Sequence, residues 1–84
     1  MTLPTIHSNG TSKGRLIEAL CNASAALDSA YEALKETAPN GRDYYPDGPR
    51  ALEAATAEHM ARLRAVDSVK AEIDALTMAI DELP

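Results

Sequence analysis

The sequence predicts an all-α protein built from an antiparallel two-helix hairpin (αα-hairpin) that oligomerises into a helical bundle. Two stretches carry apolar residues at alternating steps of three and four, which is the repeat of one helix face. Glycine and proline are absent from residues 50–83, so the second stretch is free to remain helical. A connector of about ten residues separates the two stretches, and a link of this length joins antiparallel neighbours.

Residues 1–10 are predicted to form an N-terminal arm. They contain Pro4 and Gly10 and follow no helical repeat. Leu3 and Ile6 are apolar side chains that can dock onto a neighbouring helix. The hairpin itself is therefore assigned to residues 11–84.

The first helix is predicted over residues 11–37. Thr11 or Ser12 can cap its start with a hydroxyl, and Pro39 ends it because proline disfavours helix at the residue before it. Its apolar stripe is Leu16, Leu20, Ala23, Leu27, Ala30 and Leu34. These steps form a heptad seam, and the alanines on the seam would let the two backbones approach closely. Cys21 is expected to be a small core residue rather than a nucleophile.

The second helix is predicted over residues 49–83, after a connector at residues 38–48, and Pro49 suits its first turn. Its stripe runs through Leu52, Ala55, His59, Leu63 or Arg62, Val66, Val69, Ile73, Leu76, Ile80 and Leu83. This helix is longer than the first, so we expect an overhang that carries Val69, Ile73, Leu76 and Ile80. Exposed apolar area of this kind marks a subunit interface, which predicts pairing into a four-helix bundle or a larger ring.

Size and charge narrow the range of functions. A chain of 84 residues with an alanine-rich apolar set has a marginal core, which also favours a homo-oligomer. The net charge of −5 makes it a poor binder of DNA, RNA or anionic membranes, although a local basic pocket can hold a small anion. No signal peptide or membrane-spanning run is recognised, and one unpaired thiol fits a reducing compartment. A cytoplasmic location is expected.

The start of the first helix is one candidate ligand site. Helix N-termini favour acidic side chains, because the free N–H groups and the helix dipole are positive there. This start carries Lys13 and Arg15 instead, next to Thr11 and Ser12. A bound anion would offset the repulsion, with hydroxyls and backbone N–H groups as donors. The alternative is an ordinary cap with solvated cations, and the spacing of a phosphate-binding loop is absent.

The connector is the second candidate site. Tyr44 and Tyr45 are two of the three tyrosines in a chain without Trp or Phe. Aromatic side chains on a loop can stack on a flat base, or they can cap the apolar end of the hairpin. Arg42 can bind a phosphate through its planar fork or pair with Asp43, and Arg50 adds a second cation.

His59 and Arg62 form the third candidate site, because their spacing places both on one helix face. They can form a hydrogen-bonded interface pair or face a ligand near the tyrosines. No spacing typical of a metal site occurs around the two histidines, and no serine has a recognisable catalytic partner. The sequence therefore predicts a protein that is not an enzyme and needs no cofactor.

The first two candidate sites would lie at opposite ends of one hairpin. In an antiparallel pair of hairpins, the start of the first helix in one copy would approach the connector of the other. Such a shared pocket would contain cations, helix-end N–H groups and stacking rings. These groups suit a small phosphorylated, nucleotide-like ligand.

Three segments carry a resemblance to known proteins: NGTS before the first helix, PNGRDYYPDGP at the connector and EHMAR in the second helix. Together they resemble a small helical-hairpin family of phage and prophage proteins, mostly of unassigned function. More loosely, the chain is similar to compact helical viral proteins that sequester nucleotide signals of bacterial immunity. These resemblances imply an oligomeric anti-defence sponge in the host cytoplasm. The alternative is a structural or protein-interaction module that uses its helix faces.

Overall fold

Two long helices account for most of the chain in the computed structural model, which describes all 84 residues. Helix α1 is Lys13–Lys35, the short α2 is Gly41–Tyr44, and α3 is Pro49–Asp81; a 3₁₀ turn at Tyr45–Asp47 lies between α2 and α3. The chain contains no β-strand. The predicted all-α class is therefore confirmed.

Helices α1 and α3 lie side by side and run in opposite directions. Lys13 Nζ, at the start of α1, donates to the Leu83 carbonyl just beyond the end of α3, over 2.6 Å. In the middle of the pair, the Ser24 hydroxyl donates to Asp74 Oδ1 over 2.5 Å. Residue numbers thus rise along α1 while they fall along α3, as antiparallel packing requires.

The molecule is a thin rod. Its principal extents are 62 × 20 × 18 Å. Its radius of gyration is 18.7 Å, whereas a compact chain of this length would have about 12 Å. The residues buried from solvent are Ala55, His59, Leu63 and Ile80. A two-helix layer covers each apolar stripe from one side only, so most of the stripe residues are half-buried.

Local hydrogen bonds fix both ends of α1. The Ser12 hydroxyl accepts from the Arg15 N–H over 3.3 Å, which satisfies one free donor of the first turn. At the other end, the Thr37 hydroxyl donates to the Leu34 carbonyl over 2.7 Å. α1 is consequently shorter at both ends than the predicted range 11–37.

The connector is itself helical. Asn40 caps α2, because its side-chain oxygen accepts from the Arg42 N–H over 2.9 Å. Gly48 then adopts φ +90° and ψ 166°, a conformation that is essentially restricted to glycine. This turn delivers the chain to Pro49, the first residue of α3, where a missing N–H costs no hydrogen bond.

The seam of α1 is rotated relative to its prediction. Ser24 and Tyr31 are half-buried, whereas Ala23 and Ala30 are exposed. The prediction that these alanines lie on the seam is therefore wrong; burying the larger ring of Tyr31 removes more apolar area from water than burying an alanine. The same rotation leaves Cys21 exposed, so the prediction that it is a core residue is wrong as well.

The part of α3 that extends beyond α1 lies at the start of α3 and not at its end. The contact between Lys13 and Leu83 aligns the start of α1 with the end of α3. Ile80, which is expected in an uncovered overhang, is only 2% exposed. Val69 is 47% exposed, and Lys70 takes its place on the seam. The predicted overhang is thus wrong, because the connector packs over the start of α3 and covers the extra length there.

Candidate functional site

The start of α1 has fewer free polar groups than its sequence suggests. The Lys13 ammonium is half-buried and hydrogen-bonded to the Leu83 carbonyl. The Ser12 hydroxyl is used by the helix cap, while Thr11 is exposed. Arg15 is exposed and its guanidinium makes no hydrogen bond or ion pair. Arg15 is therefore the cation at this end that can bind an external anion without losing an internal contact.

In the connector, Arg42 is hydrogen-bonded to Asn40, the N-cap residue of α2, rather than to an acidic side chain. Its backbone N–H and its Nε both point to Asn40 Oδ1, at 2.9 and 3.5 Å. It forms no ion pair within 4.0 Å, with Asp43 or with any other carboxylate. The terminal guanidinium nitrogens remain free, and those nitrogens make the paired hydrogen bonds to a phosphate.

The two tyrosines of the connector occupy different environments. Tyr44, the last residue of α2, is half-buried. Tyr45, the first residue of the 3₁₀ turn, is 77% exposed. Tyr44 is thus partly withdrawn from solvent, whereas Tyr45 is presented to it.

The start of α3 adds a positive local field to the connector end. Its first turn contains no acidic residue, and Gly48 offers no side chain to cap it. Arg50 is exposed in this turn. Arg42, Tyr45 and Arg50 therefore all lie at the end of the molecule where α2 leads into α3.

His59 and Arg62 do not share a surface. His59 is 5% exposed, and its Nδ1 has no hydrogen-bond partner. Arg62 is exposed on the outside of α3. In a single chain, Arg62 can contact a ligand, while His59 lies in the interior of the rod.

A single chain keeps the two predicted ends apart. The start of α1 lies beside the end of α3, and the connector packs on the start of α3. The rod is 62 Å long. The structure of one chain consequently groups the connector residues but separates them from Thr11, Ser12, Lys13 and Arg15.

A polar cluster between the helices was not predicted from the sequence. Lys70 Nζ lies 2.7 Å from Asp74 Oδ2 and 3.8 Å from Asp28 Oδ2, and Ser24 donates to Asp74 from across the seam. The hydrogen bond to Asp74 raises the pKa of Lys70 above 10.5. Hydrogen bonds from Lys70 and Ser24 lower the pKa of Asp74 below 3.8. A signal existed in the sequence: Lys70 and Asp74 are four apart, and Lys70 falls at seam spacing.

This cluster lies between two shallow grooves on one side of the rod. One groove of about 270 Å³ is lined by Leu27, Asp28, Tyr31, Glu32, Val66, Asp67 and Lys70. The other, of about 370 Å³, is lined by Cys21, Ser24, Ala25, Asp28, Asp74, Thr77 and Met78. Carboxylates outnumber the single ammonium along this side, so it does not suit an anionic ligand.

Two further observations concern metals and membranes. No group of three or more His, Cys, Asp or Glu side chains is arranged to hold a metal ion. None of the helices combines the length and the apolar character needed to cross a bilayer.

Comparison with known proteins found no matching family model, no similar curated protein and no similar solved structure. The resemblance to phage hairpin proteins therefore stays a prediction. What can be said about function rests on the residues of this chain.

Proposed function

We propose that this protein is a non-enzymatic, homo-oligomeric helical hairpin that holds a small phosphorylated, nucleotide-like ligand at its connector. The observation that carries the proposal is the exposure of the connector's polar and aromatic groups. Tyr45 is 77% exposed, and Arg42, three residues earlier in the connector, has no acidic partner within 4.0 Å.

These groups match the two chemical parts of a nucleotide. The guanidinium of Arg42 offers parallel N–H donors to a phosphate, and Arg50 adds charge at an uncapped helix start that already favours anions. The ring of Tyr45 offers a flat face on which a base can stack. Tyr44 is half-buried and would support this surface from below.

A second copy would complete the pocket. Oligomerisation can bring Arg15, or Arg62 on the outer face of α3, to the connector of a neighbouring chain. Both arginines are exposed and have no ion pair. Sequestration of a nucleotide signal would be the role of such an assembly.

Thermal unfolding in the presence of a panel of cyclic and linear nucleotides tests this function. A ligand that binds only the folded state stabilises that state by about 2.7 kcal/mol when the ligand concentration is a hundred times its Kd. For a chain of this size, that corresponds to a rise in Tm of about 10–20 °C. We expect Arg42→Ala and Tyr45→Ala to abolish the rise.

Two matched variants serve as controls. Tyr45→Phe keeps the ring and should retain most of the rise in Tm. Arg64→Ala removes an exposed arginine from α3, away from the connector, and should behave like the unmodified protein. If no nucleotide raises the Tm, or if Arg64→Ala loses the rise as Arg42→Ala does, the proposed ligand site is wrong.

A structural or protein-interaction module is the second candidate function. It is favoured by the exposed apolar side chains on α3, among them Met60, Val69 and Met78. This function predicts no thermal shift with any nucleotide. It predicts a protein partner whose binding survives the Arg42→Ala substitution.

A further inference from the structure

The acidic residues of the chain are concentrated in two segments that pack against each other. Residues 16–34 and residues 65–84 together contain eight Asp and Glu but no Arg and a single Lys, Lys70. The rest of the chain contains five Asp and Glu and seven Lys and Arg. The hydrogen bond between Ser24 and Asp74 joins the two segments across the seam. The part of the rod away from the connector therefore carries most of the negative charge.

One side of this part carries a row of carboxylates along both grooves. On α3, Asp67, Asp74 and Asp81 recur every seven residues, which keeps them near one face of the helix. On α1, Asp28 and Glu32 are four residues apart and line the same grooves as Asp67 and Asp74. Asp67 and Asp81 are exposed and form no ion pair. Their charge is available to a cation from outside the chain.

Two lysines lie among these carboxylates, and each is already paired within the chain. Lys70 Nζ lies 2.7 Å from Asp74 Oδ2, and Lys35 Nζ lies 3.2 Å from Glu32 Oε2. Since the carboxylates outnumber the lysines, the pairing leaves this side with net negative charge. A partner that binds here must therefore be positively charged.

The surface between the carboxylates is apolar. Met78 is 68% exposed and lines one groove beside Cys21 and Ala25, while Leu27 and Val66 line the other. Methionine is flexible and polarisable, and it is frequent at surfaces that dock partner helices. A partner that matches this side needs apolar side chains as well as positive charge, and a metal ion has none.

We propose that this side of the rod docks a basic amphipathic helix of a partner protein. We call it the acidic side, and it consists of Asp28, Glu32, Asp67, Asp74, Asp81 and Met78. Charge complementarity identifies the partner: its Lys and Arg side chains face the carboxylates, and its apolar face rests on Met78 and the groove floors. A groove between two packed helices accepts a third helix in this way.

The length of the acidic side sets the length of the partner helix. From Asp67 to Asp81 it extends roughly 21 Å at 1.5 Å per residue, which a helix of about 14 residues spans. A contact of this length belongs to the small, transient class of interfaces, so we expect a dissociation constant in the micromolar range. The inference goes beyond the proposed function and uses no residue of the connector.

A synthetic peptide of about 14 residues, with Leu on one helix face and Lys on the other, tests this inference. The peptide carries a fluorophore and is titrated with the full chain, and fluorescence anisotropy reports binding. We expect saturable binding that weakens as salt is added, because salt screens exposed charges. A reference peptide of the same composition, scrambled so that it has no apolar face, should bind at least about tenfold more weakly.

A matched pair of double variants tests the carboxylates. Asp67→Asn with Asp81→Asn removes two charges from the acidic side, and Glu58→Gln with Glu72→Gln is the control. Each control residue is exposed and lies nine residues before its counterpart, which is about half a turn around the helix. The first variant should raise the Kd of the amphipathic peptide about fivefold to tenfold. The control changes the net charge equally and should alter the Kd less than about twofold.

A second pair tests the apolar contact. Met78→Ala should raise the Kd about fivefold, because it removes apolar area that the peptide buries. Val69→Ala is its control, since Val69 is 47% exposed and lies nine residues earlier, on the other side of α3. It should bind the peptide like the unmodified protein. All four substituted proteins are changed at exposed positions, and circular dichroism checks that they keep their helices.

Several results would overturn the inference. They are the absence of saturation below millimolar protein, equal binding of the scrambled peptide, and equal effects of the two members of either pair. Light scattering distinguishes a second copy as the occupant. If the unmodified protein self-associates and Asp67→Asn with Asp81→Asn does not, the acidic side binds another copy of the chain and not a partner helix. The nucleotide-induced rise in Tm does not depend on any of these results, so either proposal can fail alone.

Discussion

Lys70 and Asp74 link the two long helices at the level of single side chains. Hydrogen bonds from Lys70 and Ser24 lower the pKa of Asp74 below its ordinary 3.8. The resulting stabilisation is complete above that ordinary pKa and is lost as pH falls through the lowered one. The pKa of Lys70 is raised above 10.5, first by its hydrogen bond to Asp74. Its stabilisation is complete below 10.5 and is lost as pH rises through the raised value.

Asp74→Asn should therefore change how stability depends on pH. Between about pH 5 and pH 2, the free energy of unfolding of the unmodified protein should fall more steeply than that of the variant. The effect should be modest, because the Asp74 side chain is 46% exposed. Urea unfolding at a series of pH values measures it. Glu72→Gln removes an exposed carboxylate without a partner and should keep the original slope; equal slopes for Asp74→Asn and the unmodified protein would contradict the assignment.

His59 is a buried polar residue whose Nδ1 lacks a partner. An unsatisfied buried polar group costs about 1–3 kcal/mol, and leucine is apolar and not much different in size. His59→Leu should therefore raise the free energy of unfolding by about 1–2 kcal/mol, measured by urea denaturation. A fall in stability would mean that the imidazole makes a contact in the assembled protein. If His59→Leu also abolished the nucleotide-induced rise in Tm, the histidine would belong to the ligand site.

At the scale of elements, Gly48 sets the direction in which the connector meets α3. Its φ of +90° with ψ 166° belongs to a region that costs other residues about 1–3 kcal/mol. Gly48→Ala should destabilise the protein by that amount and weaken ligand binding, because it disturbs the surface formed by Arg42 and Tyr45. Thermal unfolding with and without nucleotide measures both effects.

Gly14→Ala is the matched control for this substitution. Gly14 lies within α1, and a Cβ at that position would have no neighbour within 4 Å. Alanine there should stabilise the helix by up to about 0.5 kcal/mol, because Gly14 lies in the first turn, where the interior preference for alanine applies only in part. Stabilisation by both substitutions would show that Gly48 is not held in its left-handed conformation in solution.

At the scale of the whole molecule, periodicity was sufficient to predict the helical class and insufficient to predict the rotation of each helix. Leu16, Leu20 and Leu27 lie on the seam in either rotation, so their spacing does not distinguish Ala23 from Ser24 or Ala30 from Tyr31. That choice depends on how much area each side chain buries against the partner helix, which only the packed pair reveals.

The candidate site was predictable to a similar degree. The pair Tyr44–Tyr45 and the cation Arg42 stood out by composition, and in the structure Tyr45 is exposed and Arg42 has no ion pair. The hydrogen bond from Lys13 to the Leu83 carbonyl joins residues 70 positions apart. A local sequence pattern cannot predict such a contact. Sequence patterns report neighbours along a helix, whereas contacts between ends depend on the register of the two helices.

Both chain termini emerge at the same tip of the rod. Pro4, Thr5 and Ile6 lie against Leu83 and Pro84, and Lys13 bonds to the same stretch. An affinity tag or fluorophore fused to either terminus would thus lie at the opposite end of the rod from Tyr45. Tethering the protein to a sensor chip by such a tag would leave the tyrosine-bearing tip facing the flow, where an analyte can reach it.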